Sequence, residues 1–522
     1  MTTTSNAKPL ELTVSNFGPI AEASIDLRPM SVFVGPSNTG KSYTAALIYA
    51  LHRFFNGYSV SVEHRRVHAR SFWPGGFSIV PPRDLNLSER DIASIYNWMN
   101  ETLPDPLSNE TPPDTEIADH YELPESIAVL VRPVLNSIAH LSGDLDSEIV
   151  RCFGVEKTKN LVRYPDSGGT GFSLRGNIST ETGRNSPFEY SVTVTEQGAK
   201  IDTSIPHTMP LRIGPNSISI KYLPMRLLAS QAQLVNNNLA IALLGGLASD
   251  IVSDTVGPLA RPAHYLPADR AGVMHAHQVA VRGLIAGASR TALRPDSPMP
   301  VLSGVLGDFM EQLVALADSS RREQDEDYDH LAQNLEQTLL RGAVRVEQSP
   351  INYPSFVFQP NGWKRDLPLM NASSMVSELA PVVLYLRHVV QPGDLLIIEE
   401  PESHLHPAMQ VEFIRQLAAA VQSGVRILIT THSEWVLEEL ANLVRLSELP
   451  EERRDGIDDE DIVLSPDQVG AWFFEPSSEG NGSTVRGIAL DTESATFPAG
   501  FGLVTEALYN RWSEISTRIE EG

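Results

Sequence analysis

The chain has 522 residues, 42% of them apolar and 20% charged, a composition that excludes disordered and fibrous classes. With 65 acidic against 40 basic residues it carries a net charge of −25. That balance argues against a general nucleic-acid coat and leaves a nucleotide with its Mg²⁺ open. The single cysteine, Cys152, cannot close an internal disulfide, so nothing calls for an oxidising compartment.

Met1 to Pro9 is polar and lacks the basic-then-apolar pattern of a secretory signal. The apolar stretch Leu239 to Val252 is short for a membrane span and is broken by Gly245 and Gly246. The expectation is a cytoplasmic protein with no membrane segment.

Leu10 to Leu27 alternates apolar and polar residues around Phe17-Gly18-Pro19, which predicts two antiparallel strands. Ser31-Val32-Phe33-Val34 is an apolar strand that runs into Gly35-Pro36-Ser37-Asn38-Thr39-Gly40-Lys41-Ser42. Apolar residues at helical spacing follow from Tyr43 to Phe55. A glycine loop between strand and helix is the arrangement that wraps phosphates in backbone N–H groups. Lys41 would reach the β- and γ-phosphates of ATP, and the Ser42 hydroxyl would ligate Mg²⁺.

From Gly57 to Pro210 the periodicity breaks. Thr102 to Pro124 predicts a long surface loop, Ile127 to Ile138 a helix containing Pro133, and Glu189 to Ile205 strands turning at Gln197-Gly198. The basic residues Arg65, Arg66 and Arg70 are the best local candidate for nucleic-acid contact, with a solvated face as the plainer reading. Val305 to Ala317 and the charged stretch Arg321 to Leu340 predict a helical arm or bundle, and Val344 to Leu369 two or three strands turning at Pro360-Asn361-Gly362.

Leu395-Leu396-Ile397-Ile398-Glu399-Glu400-Pro401 predicts a central strand ending in two carboxylates. Ligands of open α/β sheets bind at such strand ends. Glu399 would hold the Mg²⁺ shell, and Glu400 would orient or deprotonate the attacking water. Alone, the pair could equally be two solvated acids. Ile427-Leu428-Ile429-Thr430-Thr431-His432 is a second such strand, with room for a crossover helix over Pro407 to Gln422. Its His432 could meet a γ-phosphate or be a plain polar strand end. After Ser447 the chain opens an acidic loop, Glu451 to Asp461, and ends in a helix around Thr505 to Ile519.

These motifs together resemble the ABC-type ATPases of the RecF, SMC and OLD group. The resemblance is carried by Val14-Ser15-Asn16-Phe17-Gly18-Pro19-Ile20, by the glycine loop, by Glu399-Glu400-Pro401-Glu402-Ser403-His404-Leu405-His406-Pro407 and by Thr431-His432-Ser433. It implies an α/β P-loop fold of the ABC type with an antiparallel β subdomain and helical insertions. The ATPase core would fall in 1–56, 211–290 and 344–447, interrupted by an inserted region at 57–210 and a helical arm at 291–343, with an extension at 448–522.

The resemblance further implies Mg²⁺-dependent ATP hydrolysis, with Lys41, Glu400 and His432 catalytic. Gly35 through Tyr43 and a signature-like Ser374 would bind nucleotide, and Ser42 and Glu399 the metal. Ser374 would act across a homodimer or higher oligomer, or simply cap a helix. Met375 stands where the group usually has glycine. An effector protein is the implied partner, nucleic acid a further one, in DNA maintenance or antiphage defence. Tyr265-Leu266-Pro267-Ala268-Asp269-Arg270 resembles another segment of the group. Its Arg270 would touch a phosphate, tie loops together or pair with Asp269 or another acid. His404, His406, His275 and His277 are read as ordinary residues rather than metal ligands. Asp459-Glu460-Asp461 matches a Toprim pair only formally, and no nuclease domain is expected.

Overall fold

The computed structural model describes residues 10–56, 85–102, 120–136, 142–163, 172–178, 188–195, 198–204, 210–212, 240–241, 243–248, 257–276, 302–319, 326–348, 354–454, 456–457, 462–477, 482–490 and 509–513. Arg65, Arg66, Arg70, His277, Asp459-Glu460-Asp461 and most of the Thr102–Pro124 stretch lie outside them. The chain divides into two units, one of residues 1–22 and 46–263, the other of residues 23–45 and 264–522.

In chain order the strands and helices begin with β1 (Leu10–Phe17), β2 (Ile20–Leu27), β3 (Met30–Val34) and α1 (Lys41–Phe55). Next come α2 (Glu89–Thr102), β4 (His120–Glu122), α3 (Glu125–Asn136), α4 (Ser142–Phe153), β5 (Phe172–Ile178), β6 (Phe188–Thr195), β7 (Gly198–Ser204), β8 (Pro210–Arg212) and β9 (Ala263–Leu266). The remainder are α5 (Gly304–Ser319), α6 (Glu326–Leu335), β10 (Gly342–Gln348), β11 (Pro354–Pro360), β12 (Leu367–Pro368), α7 (Ser374–His388), β13 (Leu395–Glu399), α8 (Pro407–Gln422), β14 (Arg426–Thr431), α9 (Glu434–Glu448), β15 (Val469–Pro476) and β16 (Ser483–Ile488).

The first unit pairs β1, β5, β6 and β7 as an antiparallel meander in the order β7-β6-β5-β1. The alternation read in β1 has a physical outcome, since Leu12 and Val14 are wholly buried while Glu11 faces out. Asn16 takes a left-handed φ of 58° at the end of β1, and the Gly18 N–H donates to Leu161 O at 2.6 Å. Pro133 sits inside α3, as expected. Strands β6 and β7 pair antiparallel from Thr195 against Gly198 onward, and Gln197 of the expected turn lies outside the described residues.

In the second unit β3, β14 and β13 run parallel, in the order β15-β3-β14-β13-β9, with β15 also parallel to β3 and paired antiparallel to β16. Leu395 to Ile398 and Ile427 to Ile429 are buried along their whole length, as strands covered on both faces must be. Each such aliphatic side chain contributes about 1.5–3 kcal/mol on burial. Helix α8 is the crossover between β13 and β14, with Pro407 at its first position, where a missing N–H costs nothing. A smaller sheet, β10-β11-β12, turns at Pro360-Asn361-Gly362 as expected. Strands β15 and β16 were not among the expectations. They lie in the stretch read only as an acidic loop leading to a helix. Among the described residues no helix is long and apolar enough to cross a membrane.

Candidate functional site

The register of the parallel strands decides what meets at their carboxyl ends. Thr431 of β14 is level with Val34 of β3, and Glu399 of β13 with Thr430 of β14. The glycine loop after Val34, Glu400 after Glu399 and His432 after Thr431 therefore leave one edge of the sheet side by side, with the His432 strand in the middle.

Within the loop, Gly35, Asn38 and Gly40 have φ of 143°, 65° and 100°. A β-carbon on Gly35 would fall 2.1 Å from the backbone oxygen of Phe474 in β15, so the loop is seated on the strand that sequence reading missed. Its signal was the apolar run Val469 to Phe474, whose residues are all buried. Pro36, Ser37 and Asn38 are exposed, while the Thr39 hydroxyl donates to Pro36 O at 2.8 Å. Ser42 and Tyr43 are exposed in the first turn of α1. The Lys41 amine is buried and donates to Gly35 O and Pro36 O, each at 2.8 Å. Burial pulls its pKa down to about 8, against Glu400 and Glu402, which hold it up.

The acidic end of β13 is held by backbone contacts. Glu399 Oε2 accepts the Ala268 N–H at 3.1 Å. Glu400 has a left-handed φ of 43°, and its N–H donates to Thr430 O at 2.9 Å. Its Oε1 lies 3.6 Å from His432 Nε2, with both side chains partly open to solvent. His432 is positioned in turn by Glu402, whose Oε1 accepts the His432 N–H at 2.6 Å. Glu402 Oε2 is buried with no hydrogen-bond partner.

Arg270 is fully buried, which leaves it no face toward a phosphate. Of the readings offered for it, the structure supports the one that ties loops together, and its acid is Glu378 rather than Asp269. Arg270 Nε lies 3.0 Å from Glu378 Oε2, and Nη1 donates to Glu399 O at 2.6 Å. Burial pushes the Glu378 carboxyl up, and the Arg270 charge pulls it back down.

Ser374 is exposed as the first residue of α7, and the cap of that helix is Ser373, whose hydroxyl accepts the Val376 N–H at 3.4 Å. Met375 is half-buried against the core. His406 caps α8, its Nδ1 accepting the Ala408 N–H at 3.3 Å. His404 is exposed, 4.0 Å from Glu378. His275, also exposed, lies 2.9 Å from Ser377 Oγ.

An anion seated over the glycine loop would meet the N-terminus of α1 and the Lys41 amine. For a divalent cation beside such an anion, this end of the sheet offers the exposed Ser42 hydroxyl and the Glu399 carboxylate, both oxygen donors. That donor set fits Mg²⁺, which takes one or two protein oxygens and completes its shell with phosphate and water. Among the described residues no group of three or more His, Cys, Asp and Glu gathers as an all-protein metal site.

Residues 263–438 match the family model described as "AAA domain, putative AbiEii toxin, Type IV TA system". That segment carries Arg270, the acidic strand and His432. The fold is α/β, a mixed sheet whose parallel strands β3, β14 and β13 carry the glycine loop, His432 and the acidic pair at their carboxyl ends. No curated protein matches the chain. Among solved structures it is similar to "Crystal structure of the SmcHead bound to the C-winged helix domain of ScpA", at 8% identity over 92% of this chain and 98% of that one, TM-score 0.38. It is also similar to "SMC head domain from Thermotoga maritima", at 10% identity over 92% and 99%, TM-score 0.34. A third is an Smc head domain with an extended coiled coil bound to the C-terminal domain of ScpA, derived from Pyrococcus furiosus, at 8% identity over 92% and 96%, TM-score 0.37. Similarity this distant assigns neither activity nor partner to the chain.

Proposed function

We propose that the protein binds ATP with Mg²⁺ at the edge formed by β3, β14 and β13 and hydrolyses it. The observation that carries this reading is the convergence of the glycine loop, Glu400 and His432 at three adjacent parallel strand ends. Lys41 and the α1 N-terminus would hold the phosphates. Glu400 would take the proton of the attacking water, with His432 beside it to meet the γ-phosphate. Bound Mg²⁺, held by Ser42 and Glu399, would neutralise charge on the phosphates.

Ser374 belongs to this reading as the group that completes a second copy's site, so that ATP closes a dimer and hydrolysis reopens it. Its exposed place at a helix start supports that role. The closed dimer would engage an effector protein, or nucleic acid. The family description matched at 263–438, a toxin of a toxin–antitoxin system, favours a defence setting over DNA maintenance. The half-buried Met375 favours slow turnover, in keeping with a switch rather than a motor.

The test is a pair of variants assayed for ATP binding and phosphate release. Glu400→Gln should bind ATP and lose hydrolysis by at least about a hundredfold, and Lys41→Ala should lose binding. Normal turnover by Glu400→Gln would remove Glu400 from the chemistry.

A further inference from the structure

We infer that Arg270 is a positioning residue for Glu400. Its guanidinium fixes the backbone on which the glutamate stands and, through Glu378, joins that backbone to the helix that opens at Ser374. The inference rests on the role proposed above for Glu400.

Glu400 occupies the left-handed region, with φ of 43°, a conformation that a residue with a β-carbon keeps only when its surroundings enforce it. Three holds are present. The Glu400 N–H donates to Thr430 O at 2.9 Å, and the Glu400 carbonyl accepts the Ser403 N–H at 3.0 Å. The third is the arginine fork. Nη1 donates to Glu399 O at 2.6 Å and to Pro267 O at 3.2 Å, and Nη2 to Glu400 O at 3.4 Å. The carbonyls on both sides of the turn are thus fixed by a single rigid plane.

The remaining nitrogen faces α7. Nε donates to Glu378 O at 3.0 Å and lies as far from Glu378 Oε2. Glu378 is one turn along from Ser374 on the same helix. A shift of α7 when Ser374 meets a ligand would therefore pull on the carbonyls of Glu399 and Glu400 through one buried side chain. Arginine suits this post because its donors are locked in one plane, whereas a lysine ammonium is a single point that cannot span three directions. Displacing a catalytic group by about 1 Å costs on the order of a hundredfold in rate, so the fork matters to turnover more than to nucleotide affinity.

The experiment compares Arg270→Lys with the unaltered chain, measuring ATP affinity and kcat separately, with thermal melting as the folding control. The expected result is kcat lower by about tenfold to a hundredfold with the dissociation constant for ATP within about twofold. A kcat within twofold of the unaltered chain, or affinity and kcat falling together, overturns the inference. Should Arg270→Lys fail to fold, Glu378→Gln decides: kcat lowered with affinity kept supports the tie, and unaltered kcat overturns it. Failure of the underlying reading looks different, because then Glu400→Gln itself would turn over normally.

Discussion

At neutral pH the Lys41 ammonium is charged, but burial leaves its pKa at only about 8. A polyphosphate against the amine would stabilise the charged form and raise that value on binding. Affinity is then full below pH 8 and is lost as pH rises past the pKa of the free protein, by up to about tenfold per unit. Titration calorimetry between pH 7 and 9.5 should show this weakening together with proton uptake on binding. Lys41→Arg, charged throughout, should flatten the profile. An affinity independent of pH in the unaltered chain would mean that the amine does not meet the phosphates. The residues of this site were legible where chemistry and local structure share one contiguous stretch, as in Val34 to Ser42 or Ile398 to Glu400. Glu402 lay inside a segment that carries the resemblance and Glu378 four positions after Ser374, yet neither had a readable role. Their partners, the His432 N–H and Arg270, come from thirty and more than a hundred positions away in the chain, and only the fold brings them close.

Among the elements, the parallel strands were readable because burial on both faces demands an unbroken apolar run, and α8 because its period and length fit the crossover. Strands β15 and β16 were obscured by Gly470 and by the acidic stretch before them, although Val469 to Phe474 carries the same signal. The helical stretch Arg321 to Leu340 was read as one piece, whereas α6 ends at Leu335 and passes into a π turn, Glu336–Leu340. The cause is tertiary. Glu336 turns inward to accept the Val344 N–H at 2.7 Å and Arg387 Nη2 at 2.8 Å, while Arg387 Nε donates to Asp329 at 2.8 Å. One arginine on α7 thereby locks α6, the π turn and β10. Arg387→Met should leave the Glu336 charge buried and unpaired, at a loss of about 3–5 kcal/mol in unfolding free energy. Adding Glu336→Leu should recover only part of it, since the Val344 N–H then loses its acceptor. Urea unfolding of the two variants measures both terms, and equal stability of Arg387→Met and the unaltered chain would show the network to be ornamental.

For the molecule as a whole, a net charge of −25 opposes both self-association and nucleic-acid binding at long range, so a dimer would have to be drawn together by local contacts. The proposed contact is the exposed start of α7 against the γ-phosphate held by a second copy. Ser374→Asp separates that role from a merely structural one. An acid in the first turn of a helix is favoured by the N-terminal dipole, by about 0.3–1 kcal/mol, and Ser373 rather than Ser374 makes the capping bond. The substitution should therefore leave thermal stability unchanged or slightly raised. Facing a phosphate across an interface, the same carboxylate is repelled. In a Glu400→Gln background, light scattering with ATP and Mg²⁺ should report a doubled mass, and the added Ser374→Asp should return it to the mass seen without nucleotide, with ATP affinity of the single copy retained. A doubled mass that survives Ser374→Asp would remove Ser374 from the interface, and no mass change in Glu400→Gln would remove dimer closure itself.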